Sequence, residues 1–159
     1  MSNQIIDGNV QIPRWNGAIV MPNTINAVEN ALTTVTVAQS GSIIFCPQST
    51  HNPVAGGANT INLPAPSAGF NLRIIFIAAG DGTAGHNWDI TSTGANIIGS
   101  SVAVTAALAA TDIAGATTIT RNAVAADALP GDYIDLYSNG TNYFVFAYSA
   151  GAATPWATA

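Results

Sequence analysis

The chain has no lysine, one glutamate (Glu29), one cysteine and three arginines among its 159 residues. Charged residues make up 7% of the total, against about 25% in an average soluble domain. Each shortage removes a class of function. A nucleic-acid binder neutralises phosphates with Lys and Arg. Arg14, Arg73 and Arg121 are scattered along a chain of net charge -5, so no nucleic-acid partner is expected. A phosphate-cradling glycine loop needs its lysine, so Gly82, Gly85, Gly94 and Gly99 do not make one. The lone Cys46 excludes an internal disulfide framework and a multi-cysteine metal site. It ends the apolar run Ser42-Ile43-Ile44-Phe45-Cys46 and reads as a small buried hydrophobe. No apolar run is long enough for a membrane helix. Met1 to Asp7 lacks the basic and apolar regions of an export signal. A soluble protein without a membrane partner is expected.

What is present points to strands and to contact with other chains. The length suits one domain. A compact monomer of this mass exposes roughly 7,400 Å². The eleven charged side chains are then spaced at about one per 670 Å², which is sparse for a free monomer. The surface is expected to be coated with Asn, Thr, Ser and Gly and to be partly covered by copies or partners.

Residues 1–32, with Pro13, Pro22, several Asn and Trp15, have little periodicity and read as an N-terminal docking arm. Within it, Ile25, Val28 and Leu32 follow Asn23-Thr24 at helical spacing, which suggests a short helical turn. Residues 33–159 read as the body. Strands are expected at Thr33–Val37, Ser42–Cys46, Asn59–Leu63, Phe70–Ala79, Trp88–Ser92 and Thr117–Arg121, separated by Gly, Pro and Asn clusters. Val102–Thr105 reads as strand and Ala106–Ala110 as helix by propensity. Tyr133–Tyr137 and Asn142–Tyr148 flank Asn139-Gly140, a hairpin signal. The fold expected is all-β: a jelly-roll-like β-sandwich or barrel of about eight short antiparallel strands with an extended N-terminal arm.

Chemistry is hard to assemble from this inventory. His51 and His86 lie in or beside loops, without a second ligand at metal spacing, and read as solvated. Asp81-Gly82-Thr83 lacks the alternating acids of a calcium loop. No carboxylate pair is placed for acid and base work. No enzyme activity, cofactor or metal is expected.

Ile61-Asn62-Leu63-Pro64-Ala65-Pro66, then Gly69-Phe70 running into Phe76, form one run of interest. Gly131-Asp132-Tyr133-Ile134-Asp135-Leu136 with Asn139-Gly140-Thr141-Asn142-Tyr143 form another. Together they resemble a pattern in virion surface proteins of tailed bacteriophages, namely head decoration (cement) proteins and the β-rich end domains of tail fibres. The resemblance covers a little over half the chain. It implies a structural binding role on the virion, assembled in the host cytoplasm, with the major capsid protein and further copies of the chain, as a trimer, for partners. A start at Met1 without a repeated shaft favours a decoration protein over a fibre tip. Arg14, Trp15 and Trp156 are the candidate interface residues, since buried Trp and Arg dominate binding energies. The alternative is a tail-fibre or vertex receptor-binding module that presents Tyr133, Tyr137, Tyr143 and Tyr148 to a glycan.

Overall fold

The chain spends its first half winding between two sheets. In the computed structural model, residues 4–6, 10–12, 23–28, 31–49, 59–83, 85–93, 97–103, 109–122, 128–151 and 156–158 are described. After a small antiparallel pair, β1 (Gln4–Ile6) and β2 (Val10–Ile12), come β3 (Thr24–Asn26), β4 (Leu32–Thr34), β5 (Ser42–Cys46), β6 (Thr60–Leu63), β7 (Asn71–Phe76) and β8 (Trp88–Ser92). β3, β5 and β7 lie side by side in one sheet, and β4, β6 and β8 in the other. Every neighbouring pair among these six is parallel. The result is three windings of a flattened parallel coil.

The second half closes the coil with mainly antiparallel strands: β9 (Ile97–Ala103), β10 (Ala109–Ala116), β11 (Thr118–Arg121), β12 (Tyr133–Ser138), β13 (Tyr143–Ser149) and β14 (Trp156–Thr158). The finished sheets have seven strands, β10-β9-β13-β12-β7-β5-β3, and five strands, β14-β11-β8-β6-β4. The expected all-β sandwich is therefore present. Three expectations are corrected. Of the eleven strand pairs described, five are parallel, so the pairing is mixed rather than that of an antiparallel jelly roll. Among the described residues both sheets end in edge strands, so neither closes into a barrel. The two sandwich sheets hold twelve strands rather than about eight.

Register explains why the windings stack. Ile25, Ile44, Ile74 and Ile134 are successive partners across β3, β5, β7 and β12. Ile61, Ile90 and Ile119 do the same across β6, β8 and β11. Apart from half-buried Ile25, all of these isoleucines are fully buried. Strand side chains alternate faces, so identical inward residues at matched register form two facing ladders. Removing each from water is worth roughly 1.5–3 kcal/mol. Trp88, Phe76 and Tyr143 fill the spaces between the ladders. Cys46 is fully buried, as expected, and burial pushes its thiol pKa well up.

Local chemistry moves several boundaries. The strand expected to run to Val37 stops at Thr34. Gln39 Oε1 accepts the Thr36 N–H at 2.8 Å and caps a 3₁₀ turn, Val37–Gln39. The helical turn expected at Asn23–Leu32 is instead β3 and the start of β4, so the sandwich begins inside the segment expected to be an arm. The described part of the expected Ala106–Ala110 helix, Ala109 and Ala110, is strand paired with β9. The β12–β13 hairpin is present, but its turn is shifted by one residue. Gly140 has φ of 97°, and Asn139 is not among the positive-φ residues. The Asn139 N–H meets the Asn142 carbonyl at 3.3 Å. A positive φ at the first central residue only is the II′ pattern, centred on Gly140-Thr141. Asn139 Oδ1 holds it by accepting the Thr141 and Asn142 N–H groups, each at 2.9 Å.

Candidate functional site

Alternation in the seven-stranded sheet sends half of its side chains outward. On β12 these are Tyr133, Asp135 and Tyr137; on β13 they are Phe144, Phe146 and Tyr148. Register sets Tyr133 opposite Tyr148, Asp135 opposite Phe146, and Tyr137 opposite Phe144. The outer face thus carries five aromatic rings around one carboxylate. Tyr137 is 52% exposed and Phe146 59%, more than a core aromatic tolerates.

The polar centre is an ion pair. Arg73 on β7 lies across from Asp135 and binds it with both arms, Nε at 2.6 Å and Nη2 at 2.5 Å. That hydrogen bonding raises the Arg73 pKa. The guanidinium also covers one face of the Tyr133 ring at 5.0 Å, and Tyr148 stacks near the other with centroids 5.1 Å apart. Two hollows flank β12. One, of about 280 Å³, runs from Gly41 and Asn71 to Tyr137. The other, of about 410 Å³, has Tyr133, Tyr148, Tyr137 and Phe146 as walls and Asp135 and Ser100 between them.

Of the four tyrosines singled out in the sequence, three share this face. Tyr143 does not, because its odd register turns it inward. Its hydroxyl donates to the Pro64 carbonyl at 2.7 Å, and burial pushes its pKa up to about 12. Phe144 and Phe146 were missed. Their signal was the strict alternation Tyr143-Phe144-Val145-Phe146-Ala147-Tyr148, which places large apolar residues on both faces of one strand.

A second exposed region lies in the first winding. β3 and β4 are the edges of their respective sheets. Val28, Leu32 and Val37, all in this winding, are 62%, 40% and 48% exposed. Among the described residues no strand pairs with the outer edge of either, and an open strand edge beside exposed aliphatics is a ready template for another chain.

Trp156 is not an exposed interface residue. It is 6% exposed, and its ring meets Phe76 edge-on at 5.7 Å. Edge strand β14 tucks it under the five-stranded sheet. Arg14 and Trp15, like His51, lie outside the described residues. His86 is paired rather than freely solvated. Its Nδ1 is 2.6 Å from Asp81 Oδ2, and Asp81 Oδ1 accepts the Thr83 N–H. The His86 hydrogen bond, then the Thr83 N–H, hold the Asp81 pKa below the usual carboxylate value.

Arg121 and Asp132 form a buried hub. Arg121 Nε donates to Asp132 Oδ2 at 3.0 Å, and Nη2 donates to the Ala78 and Leu129 carbonyls. Asp132 also accepts the Leu129 and Ala150 N–H groups. The guanidinium lies 4.4 Å over the Phe76 ring. The carboxylate and carbonyl groups that bind Arg73 and Arg121 here belong to the same chain. This hub ties β11 of the five-stranded sheet to the loops that flank β7, β12 and β13 of the seven-stranded sheet.

Among the described residues, no cluster of three or more His, Cys, Asp or Glu is placed to hold a metal, and no helix is long and apolar enough to cross a membrane. No family model, no curated protein and no solved structure matches this chain. The class that fold and surface define is an all-β sandwich with two exposed apolar surfaces.

Proposed function

We propose that this protein is a non-enzymatic structural protein of a tailed-bacteriophage virion. It decorates the outer shell and bridges subunits of the major capsid protein to stabilise the head, as a trimer. The virion assignment rests on the sequence resemblance. The observation that supports the docking is the first winding, where edge strands β3 and β4, unpaired on their outer sides among the described residues, stand with exposed Val28, Leu32 and Val37.

The physics suits a shell. Contacts made of backbone edges and aliphatics carry no charge and are therefore little affected by salt. Three modest contacts in a trimer act together, because the first raises the effective concentration of the others.

The test is binding of the full chain to purified expanded shells that lack it, at low and at high salt. Saturable binding that survives high salt is expected, and Val28→Asp with Leu32→Asp is expected to weaken it at least about tenfold. Failure to bind, or binding abolished by salt, overturns the reading.

A further inference from the structure

The aromatic face of the seven-stranded sheet is not part of that footprint. β13 lies four strands from β3, or about 19 Å at the usual strand spacing. We propose that the hollow between Tyr133, Tyr137, Phe146 and Tyr148 is a binding site for a neutral carbohydrate. This goes beyond the shell role and does not depend on it.

Three features select this ligand. The first is shape. The hollow of about 410 Å³ falls within the roughly 300–1,000 Å³ typical of small-ligand sites. Tyr133, Asp135 and Tyr137 alternate along β12, so the two tyrosines stand about 13 Å apart. That gap admits a sugar ring lying on Phe146.

The second feature is amphipathy. A pyranose has C–H faces and a rim of hydroxyls. The electron-rich faces of Phe146 and Tyr137 suit the C–H face. Asp135 and Ser100 suit the hydroxyls, as acceptor and as donor or acceptor.

The third is charge. Arg73 is the only cation among the described residues of this face, and Asp135 already engages it through both arms. No free positive charge remains to draw a phosphate or carboxylate, and a net charge of -5 repels anionic sugars. The same ion pair argues against a second copy of the chain. A flat protein face would strip water from the pair without replacing its hydrogen bonds, a costly exchange. Sugar hydroxyls replace them.

The experiment is a titration of the isotopically labelled full chain with a panel of neutral sugars: glucose, galactose, mannose, N-acetylglucosamine and disaccharides of each. Amide shifts are followed by NMR. Saturable shifts confined to β9, β12 and β13 are expected with at least one member. Phe146→Ala and Tyr137→Ala are expected to weaken binding at least about tenfold, with thermal midpoints near wild type because both rings are exposed. Val28→Asp is expected to bind sugar normally, which separates this site from the shell footprint. No saturable shift with any sugar overturns the proposal. So do shifts unaffected in both aromatic variants. A dimer that Phe146→Ala dissociates overturns it too, by assigning the face to a second copy.

Discussion

Arg121 shows how a single side chain can hold a charge-poor protein together. Its guanidinium is 2% exposed and anchored at three acceptors, and its partner Asp132 holds two loop N–H groups. Arg121→Met leaves a buried carboxylate without its counter-charge. A loss of about 3–5 kcal/mol is expected, read by urea denaturation. The double variant with Asp132→Asn is expected to lose less than the sum of the two single losses, since the two groups share one network. A fully additive result would show that the pair is not coupled. At Asp81, the folded pKa is depressed by His86 and by the Thr83 N–H. A depressed carboxylate stabilises the fold above its unfolded pKa, and that contribution is lost as pH falls through the lower folded value. NMR titration of the Asp81 carboxyl is expected to give a midpoint below the usual 3.8. Replacing His86 with Gln is expected to move that midpoint back up.

At the level of elements, β9 depends on a position without a side chain. A Cβ on Gly99 would sit 1.9 Å from the Val145 carbonyl oxygen on β13. No rotamer relieves a clash with backbone, so β9 and β13 would have to separate. Gly99→Ala is expected to cost about 3 kcal/mol or more, with protection from hydrogen exchange lost first in β9 and β10. Unchanged stability would mean that the two strands can shift apart freely. Alternation in the sequence made β5 to β8 and the β12–β13 hairpin legible almost residue by residue, because period two is a direct consequence of the pleat. It did not reveal which sheet each strand joins. A parallel winding and an antiparallel hairpin both present Ile at every second position, and only register shows that Ile25, Ile44 and Ile74 stack. The 3₁₀ turn at Val37–Gln39 was hidden for another reason. Its cause is the side chain of Gln39 reaching back to Thr36, a contact with no period. Of the candidate site, Tyr133, Tyr137 and Tyr148 were legible; Tyr143, which points inward, and the outward Phe144 and Phe146 were not, because a strand apolar on both faces does not show which face is core. Trp156 was singled out because Trp dominates binding energies, a property that does not distinguish an interface from the chain's own core, into which β14 carries it.

For the whole molecule, the two exposed apolar surfaces are separated on the sandwich, with β13 four strands from β3. One offers strand edges that are open among the described residues, and the broad face of the seven-stranded sheet offers aromatic rings around a neutralised ion pair. A protein so poor in charge remains soluble as a free monomer only with difficulty, since like-charge repulsion is weak. On the proposed reading, a shell would cover one surface and leave the aromatic face turned outward. Many identical small subunits would then add stability at shell junctions without strong individual contacts. The measurement that tests the proposed shell role most directly is the copy number of the protein in purified particles of the phage that this role requires, by quantitative mass spectrometry against the major capsid protein. A count of the same order as the major capsid protein is the expected result. A handful of copies per particle, or none, would contradict the shell role.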